Sequence, residues 1–298
     1  MGGITGFLHS LGYAIRNVNP TKVIIIFDGK GGSQRRRKLY PEYKGNRKTR
    51  KNPLNSHLYK DLASEDKSME NQLKRLVEYL QVLPVQLFSI DNIEADDAIA
   101  YATQYLGQKH PNSEYYIMST DQDFLQLVNE QVMVWSPTKK KFYNEKVVLE
   151  EFGIPAKNYI YAKVLMGDSG DNVPAIPGWG LKTIRKRMPI LCDETEINSL
   201  EPIFNYTEKH LKEAKVYKTL LEQKEQAELN FQLMNLHGVV ISGTTKETIR
   251  NLVDAPVNRL VKHKFIQMLV GDSLNAAIKS PDMFIKDNFW KLDVFAGM

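Results

Sequence analysis

The sequence contains almost no cysteine. Cys192 is the only one in 298 residues, which excludes an internal disulfide and any zinc site built from several cysteines. The six histidines are scattered and show no metal-ligand spacing. These absences suit a protein of the reducing cytoplasm.

Long apolar runs are also lacking. No stretch approaches the roughly 20 consecutive apolar residues of a membrane span, and the N-terminal segment lacks the basic start and the small-residue cleavage site of a secretion signal. We therefore expect a cytoplasmic protein. With 42% apolar residues, the chain has enough material for one large domain or two modest ones.

Positive charge is concentrated in one segment. The net charge is only +5, yet residues 30–51 contain ten lysines and arginines against the single acid Glu42, so this segment carries +9 and the remainder −4. Such a block indicates a polyanion-binding element, because each neutralised phosphate releases counterions. The alternative is a solvated loop. Tyr40 and Tyr43, interleaved with the charges, favour nucleic acid because aromatic rings stack on bases.

Strand-like and helix-like segments alternate along the first 136 residues. Helical spacing of apolar residues occurs at 4–17 and at 64–83, where Ser64 is the expected N-cap, and a further helix follows EADD to about residue 106. The strand-like runs are rich in β-branched and aromatic residues and cover residues 22–28, 85–90, 114–120 and 131–136. The first of them is typical of a strand buried on both faces. This alternation predicts an α/β domain with a mostly parallel sheet.

Carboxylates stand where three of these strands end, and two more follow in MGDSGDN. They are Asp28, then Glu94, Asp96 and Asp97, then Asp121 and Asp123, and finally Asp168 and Asp171. Ligands of parallel sheets bind beyond the carboxyl ends of the strands, so we expect the first three groups at one edge. Their repulsion calls for cations, and hard oxygen ligands suit Mg²⁺ or Mn²⁺. For EADD alone, the alternative is an ordinary complement to the helix dipole.

A glycine-rich turn follows. In PGWGLKT, Gly178 and Gly180 flank Trp179 and precede Lys182. Glycines let backbone amides approach a phosphate closely, and the next helix adds its positive N-terminus. The alternative is a tight turn that merely joins two helices, but the basic residues that follow favour a phosphate contact.

Four ordered motifs carry a resemblance to a known family. EADD, STDQDF and MGDSGDN followed by PGWGLKT resemble the structure-specific 5′-nuclease family, which includes flap endonucleases and the 5′-exonuclease domains of bacterial repair polymerases. PEYKGNR, residues 41–47, resembles the arch segment of that family. The stretch from STDQDF to TKKKF is similar to the phage ribonuclease H branch, which removes RNA primers, and this similarity implies the cytoplasm of a phage-infected bacterial cell as the setting. The resemblance covers roughly residues 4–190.

The resemblance implies a fold and a division of the chain. Residues 1–150 would form a PIN-like or resolvase-like nuclease core, with a mostly parallel central sheet flanked by helices and a basic arch at 30–60. Residues 151–298 would form a helical DNA-binding and C-terminal region that carries a helix–hairpin–helix-like element. The chain is expected to be a monomer.

The resemblance also implies two Mg²⁺ ions, for which Mn²⁺ could substitute, and a K⁺ ion at the glycine turn. Lys44, Asp28 and Asp121 would be catalytic, with Lys44 facing the scissile phosphate. Ligands of the first metal region would be Asp28, Glu94, Asp96, Asp121 and Asp123, with Asp97 as an outer acid. The second region would use Asp168 and Asp171.

Nucleic-acid contacts would come from the arch and the glycine turn. A free 5′ single strand would pass through or under the arch, and Tyr43 would stack on a displaced base. The implied positions are Lys30, Arg35, Arg36, Arg37, Lys38, Tyr43, Lys44, Arg47, Gly178, Gly180 and Lys182. The partners would be 5′-flap DNA, RNA–DNA hybrids and duplexes with a 5′ single-stranded end. A single-strand binding protein or sliding clamp could contact the C-terminal part, where the alternative is ordinary packing.

One departure from the family pattern bears on function. Family members begin with a strand ending in an aspartate, whereas GGITGFLHSL matches the helix that follows that strand. We expect a truncated or misassigned start; the alternatives are that a separate segment supplies the strand or that the ligand is lost. Three functions remain open: a Mg²⁺-dependent 5′ nuclease, a structure-specific DNA-binding protein with impaired catalysis, and a related metal-dependent ribonuclease. The arch and the glycine turn disfavour the third.

Overall fold

The computed structural model describes residues 2–46 and 52–297, which fall into two compact units. Unit 1 comprises Met1–Phe27, Arg50–Ser89 and Glu247–Met298, and unit 2 comprises Asp28–Thr49 and Ile90–Lys246. All predicted site residues belong to unit 2, although Arg47 lies outside the described residues. Neither unit begins or ends at residue 150, and the predicted division there remains a prediction.

Helices dominate the described residues, and the strands are short. The strands are β1 (Ile24–Phe27), β2 (Gln86–Ser89), β3 (Tyr115–Met118), β4 (Val132–Ser136) and β5 (Lys141–Tyr143). The helices up to residue 166 are α1 (Gly2–Val18), α2 (Gln34–Leu39), α3 (Leu62–Gln81), α4 (Ala95–Lys109), α5 (Glu145–Phe152) and α6 (Tyr159–Met166). The later helices are α7 (Leu181–Arg187), α8 (Glu201–Lys209), α9 (Lys215–Glu222), α10 (Lys224–Met234), α11 (Gly243–Asp254), α12 (Lys262–Gly271), α13 (Pro281–Asn288) and α14 (Trp290–Asp293).

Unit 1 combines a two-stranded sheet with a helical core. β1 pairs with β2 in parallel, with Ile24 opposite Gln86. One core cluster contains residues of α1, α3, α12 and α13, among them the fully buried Leu8 and Phe265. The predicted helices and strands of this region are confirmed, because α1, β1, α3 and β2 all form within two residues of the expected ranges.

Two details of unit 1 differ from the predictions. Asp61, and not Ser64, caps α3: the Asp61 carboxylate accepts a hydrogen bond from the Ser64 amide at 2.7 Å. The cap lies three residues earlier because an aspartate there reaches a free amide of the first turn. In addition, all four residues of β1 are partly exposed. Within the described chain β1 pairs with β2 alone, so the prediction of a strand buried on both faces is wrong.

Unit 2 contains a three-stranded mixed sheet. β3 pairs with β4 in parallel, and β4 pairs with β5 in antiparallel, with Val134 opposite Tyr143. β5 was not predicted, because three residues after a lysine-rich turn give too short an alternation to recognise. In the turn between β4 and β5, Lys140 adopts a φ of 51°, a conformation that single turn residues tolerate. The parallel pairing of β3 with β4 confirms the predicted α/β class.

Helices α6 to α10 pack around a second core in unit 2. Its buried residues include Leu165, Trp179, Ile184 and Leu220. This core fixes the segment between α6 and α7, in which MGDSGDN and PGWG are found. Among the described residues, no helix is both long enough and apolar enough to cross a membrane.

Candidate active site

Close contact between two loops of unit 2 brings Asp28 to the start of α4. The Gly29 amide donates to the Ile93 carbonyl at 3.0 Å, and the Asn92 amide donates to the Lys30 carbonyl at 2.8 Å. A Cβ on Gly29 would overlap the carbonyl oxygen of Ile90, so only glycine allows this approach. The exposed Asp28 carboxylate then accepts a hydrogen bond from the Ala95 amide at 2.8 Å.

The EADD acids have cationic partners from α2 and PEYKGNR. Arg36 forms two hydrogen bonds with the Asp97 carboxylate, at 2.6 and 2.8 Å, and also contacts Glu94. Lys44 contacts the other oxygen of Glu94. Glu94 and Asp97 are both about 2% exposed, and ionised carboxylates so deeply buried require partners. Arg36 and Lys44 therefore compensate two of the three carboxylate charges of EADD, those of Glu94 and Asp97.

Asp96 is the third acid of the motif, and its environment is different. Among the residues that the structure describes, none forms an ion pair or hydrogen bond with its carboxylate. Burial, and next the negative charge of Asp121, raise the pKa of Asp96 to about 7. Asp96 and Asp121 therefore repel each other in this arrangement, and a cation between them would relieve that repulsion.

Asp123 and Asp168 share one cation, Lys163 of α6. The Lys163 ammonium lies 2.9 Å from Asp123 and 2.7 Å from Asp168. Burial raises the pKa of Asp123 to about 6 although Lys163 opposes the shift. Burial would also raise the pKa of Asp168, but Lys163 and the amides of Asp171 and Gly170 outweigh it and hold that pKa below its usual value. Sequence reasoning missed Lys163, whose signal was a single charge within the apolar run YIYAKVLM.

PEYKGNR packs onto the MGDSGDN loop. The Lys44 amide donates to the Asp171 carbonyl at 2.8 Å, and the Tyr43 hydroxyl donates to the Asp171 carboxylate at 2.8 Å. Tyr43 is only 3% exposed, and this burial raises its pKa above the usual range. In this arrangement the ring is covered by the protein itself and is not available to stack on a base.

The predicted phosphate contacts are only partly on the surface. Lys30, Lys38 and Lys182 are exposed, and Arg35 and Arg37 are partly exposed. Arg36 is 3% exposed and is engaged with acids, so burial separates it from the others. Arg47 lies outside the described residues.

The glycine turn leads into α7. Gly178 has a φ of 88°, which favours glycine, and Gly180 directly precedes α7. Both glycines are exposed, whereas Trp179 between them is buried and donates from its indole nitrogen to the Val216 carbonyl at 2.9 Å. The backbone of the turn is thus presented to solvent by an anchored tryptophan.

Helix α10, which no motif marked, supports three of the four acidic groups, those of EADD, STDQDF and MGDSGDN. The Leu233 carbonyl accepts a hydrogen bond from Arg36 at 2.7 Å. The buried amide of Gln126 donates to the carbonyls of Asp123, at 2.8 Å, and Met234, at 3.1 Å. Asn230, which is fully buried, donates to the carbonyls of Val164 and Pro174 at 2.9 and 2.8 Å and thereby holds both ends of the MGDSGDN loop.

The residues present fit a hard divalent cation in part. Glu94, Asp97, Asp123 and Asp168 form ion pairs with side-chain cations. Asp96 forms none within the described residues, although the charges of Lys44 and Arg36 act on it, and Asp121 accepts a hydrogen bond from the Asp123 amide at 2.8 Å. Over residues 2–46 and 52–297, no three acids, histidines or cysteines converge into a complete ligand set. The raised pKa of Asp96 makes the Asp96–Asp121 pair the part of the site that fits such an ion.

Comparison with known proteins gives a matching family model, a similar protein sequence and two similar structures. A family model described as 5′-3′ exonuclease, N-terminal resolvase-like domain, matches residues 1–153. A 5′-3′ exonuclease of Buchnera aphidicola subsp. Schizaphis graminum is 30% identical over 250 residues, which cover 83% of this chain and 80% of that protein. A T5 protein co-crystallised with metal ions is similar in structure, with a TM-score of 0.61 at 22% identity over 92% of this chain and 91% of that one. A bacteriophage T5 flap endonuclease in complex with DNA and metal ions gives a TM-score of 0.58 at the same identity of 22% and the same coverages of 92% and 91%.

Proposed function

The chain belongs to the 5′-3′ exonuclease family, and from this premise we propose that it is a Mg²⁺-dependent structure-specific 5′ nuclease. It would hydrolyse phosphodiester bonds near 5′ ends, flaps and RNA primers. The observation that carries the proposal is the linked set of acids in unit 2, in which Lys44 joins Glu94 to Asp171 and Lys163 joins Asp123 to Asp168.

The acids and Lys44 have separate tasks in the proposed reaction. Asp96 and Asp121 would hold a divalent ion, with Asp28, Glu94, Asp123, Asp168 and Asp171 as the other proposed ligands of two ions. Bound Mg²⁺ or Mn²⁺ would supply an activated water and stabilise the attacking and leaving oxygens. Lys44 is only 8% exposed and its ammonium is paired with Glu94 and lies 3.7 Å from Asp171. It would bind an oxygen of the scissile phosphate once these carboxylates turn to bound metal and release it.

Substrate selection would depend on two surfaces. Lys30, Lys38 and Lys182 are exposed and would contact the sugar–phosphate backbone. The exposed turn at Gly178 and Gly180 would present backbone amides to a duplex, with K⁺ on its carbonyls. The DNA bound by the T5 flap endonuclease of similar fold supports nucleic acid as the partner class.

The biological setting proposed here is removal of RNA primers during phage replication. It rests on the similarity of residues 119–142 to the phage ribonuclease H branch. Action on RNA–DNA hybrids, monomeric behaviour and contacts of the C-terminal part with a single-strand binding protein or clamp belong to the same proposal.

One observation favours a second candidate, a structure-specific DNA-binding protein with impaired catalysis. Within the described ranges, the acids do not converge into a complete ligand set of three. Such a protein would keep the exposed lysines and the glycine turn while hydrolysing phosphodiesters slowly or not at all.

Cleavage and binding assays on the full chain separate the two candidates. A 5′-end-labelled flap and an RNA–DNA hybrid are incubated with the chain or with Asp121→Asn in Mg²⁺, and flap affinity is measured in EDTA. Cleavage that is lost in Asp121→Asn while affinity is kept supports the nuclease. Tight flap binding without cleavage by either protein would exclude the nuclease and support the binding protein.

A further inference from the structure

Arg36 belongs to the basic segment by sequence but not by environment. Its side chain is 3% exposed, whereas Lys38 on the same short helix is exposed. A guanidinium can neutralise a phosphate only where the phosphate can reach it, so this burial separates Arg36 from the residues that would bind a nucleic-acid backbone.

The hydrogen bonds of Arg36 occupy all three guanidinium nitrogens. Nε donates to the Leu233 carbonyl at 2.7 Å. Nη2 and Nη1 donate to the two oxygens of Asp97 at 2.6 and 2.8 Å, which is the two-pronged geometry typical of arginine with a carboxylate. Nη1 also contacts one oxygen of Glu94.

Arg36 is one of three side chains that contact the Glu94 carboxylate, with Lys44 on Oε1 and the Tyr43 hydroxyl 3.5 Å from Oε2. Glu94 stands at the N-cap of α4, yet its side chain forms no capping hydrogen bond with that helix. The terminal torsion of a glutamate is broad and only weakly restrained by itself. Arg36 holds Oε2, so Oε1 is the oxygen that is presented to Lys44.

We infer that Arg36 is a positioning residue that fixes the Glu94 carboxylate, with Asp97 holding Arg36 in place. This inference rests on the proposed function, in which Glu94 is a metal ligand. Asp97 then belongs to the support of the site, because both of its oxygens already bind Arg36. Arg36 also connects the site to α10 through Leu233.

Lysine cannot replace arginine fully in this role. An ammonium is a compact charge without the planar fork, so it cannot bind Asp97 with two nitrogens, Glu94 and the Leu233 carbonyl in the same geometry. Arg36→Lys should therefore keep the buried charge while loosening Glu94. This difference between charge and geometry makes a direct test possible.

The test uses the full chain with Arg36→Lys, Arg36→Gln and the matched variant Lys38→Gln. Flap-DNA affinity is measured against salt in EDTA, and Mn²⁺ affinity without DNA is measured by electron paramagnetic resonance. For Arg36→Gln we expect no change in the slope of log affinity for flap DNA against log salt concentration. We also expect Mn²⁺ binding at least tenfold weaker than in the unmodified chain, and for Arg36→Lys a Mn²⁺ affinity between those of Arg36→Gln and the unmodified chain. For Lys38→Gln we expect unchanged Mn²⁺ affinity and a slope smaller by about 0.9, the loss of one phosphate contact.

Further outcomes separate this inference from the proposed function. Asp97→Asn should weaken Mn²⁺ binding as Arg36→Gln does, and the double variant should be no weaker than the poorer single one, because both act through Glu94. If Arg36→Gln does not fold, as judged by circular dichroism, Arg36→Lys and Asp97→Asn carry the comparison. These variants could bind Mn²⁺ more weakly although the unmodified chain does not cleave DNA. That result would support the positioning role of Arg36 and refute the nuclease function.

Two results would overturn the inference. One is a smaller salt slope in Arg36→Lys or Arg36→Gln with normal Mn²⁺ affinity, which would make Arg36 a phosphate contact. The other is an unmodified chain that binds no Mn²⁺, since there would then be no metal ligand to position.

Discussion

Asp96 has the least compensated charge of the site. Burial and Asp121 raise its pKa to about 7, while the other acids of EADD have arginine or lysine partners. The charge that a metal ion would neutralise is therefore a source of instability in the metal-free protein.

Asp96→Asn should therefore stabilise the metal-free protein while abolishing cleavage. At pH 8 in EDTA we expect the free energy of unfolding to rise by roughly 1–3 kcal/mol, because an ionised group in a disfavoured environment is removed. Urea unfolding measures the change, with the exposed Asp91→Asn as control. The gain should disappear in saturating Mg²⁺; an equal gain with and without the metal would contradict the explanation.

Sequence motifs mark the acids of the site, whereas the exposure of a side chain is beyond them. Acids of EADD, STDQDF and MGDSGDN are linked in unit 2, since Lys44 joins Glu94 to Asp171 and Lys163 joins Asp123 to Asp168, but their roles as metal ligands stay predictions. Tyr43 and Arg36 stand in a basic, aromatic segment typical of nucleic-acid contacts, yet both are buried against acids. Composition reports which charges are present in a segment, whereas their exposure depends on which distant acids fold against them.

Helix α10 shows how far sequence can predict the role of a secondary-structure element. The resemblance implies a helical region at 151–298, and α8, α9 and α10 do form there. Its support of the acids depends on Asn230 and the Leu233 carbonyl, whose partners are 56 to 197 positions away in the chain. No local pattern encodes such distant pairs, so this role could not be predicted.

Asn230→Ala should destabilise unit 2 and reduce cleavage. Loss of the amide leaves the Val164 and Pro174 carbonyls without this donor, which should cost about 1–3 kcal/mol. Urea unfolding and flap cleavage measure the two effects, with the exposed Gln232→Ala on the same helix as control. Cleavage that is unchanged at full occupancy of the folded state would show that α10 does not support the MGDSGDN loop.

In unit 1, Asp272 joins the end of α12 to α3. Its carboxylate accepts hydrogen bonds from Arg75 at 2.7 Å and from the Tyr79 hydroxyl at 2.8 Å. Burial would raise the pKa of Asp272, but these two bonds and the charge of Arg75 outweigh it, so the pKa lies below the ordinary 3.8. The unfolded chain then binds more protons between these two pKa values, and the stabilisation is present above pH 3.8 and is lost as the pH falls through the folded value.

Asp272→Asn should lower the free energy of unfolding by about 1–3 kcal/mol at pH 7, since hydrogen bonds to a charged group are lost. The difference from the unmodified chain should shrink below pH 3.8. Urea unfolding at pH 7 and pH 3 tests this. Glu78→Gln, which removes an exposed partner of Arg75, should change stability by less than about 1 kcal/mol. An equal loss for Asp272→Asn at both pH values would rule out the ion pair as the cause.

At the scale of the whole molecule, charge is distributed so that association with a polyanion does not depend on net charge alone. The chain carries only +5, but Lys30, Lys38 and Lys182 are exposed in unit 2, the unit that also contains the acids. Local positive potential steers a phosphate backbone even when the total charge is modest.

The double variant Lys38→Gln and Lys182→Gln should weaken flap binding. The slope of log affinity against log salt concentration should become smaller by about 1.8, or 0.9 for each lost phosphate contact. The double variant Lys146→Gln and Lys218→Gln removes the same net charge from two exposed side chains of α5 and α9. It should leave the slope unchanged. Affinity at several salt concentrations in EDTA measures both. Equal slopes for the two double variants would show that only the overall charge matters.

The discontinuity of unit 1 has a consequence for the order in which the protein can be made. α1 packs against α13, and Pro281 follows Val18 by 263 positions. At a synthesis rate of roughly 5–20 residues per second, α13 is made on the order of 10 to 50 s after α1. Helix α3, which also contacts α1, is made much earlier. The part of the α1 core face that α13 covers therefore stays without its final neighbour for most of the synthesis of the chain.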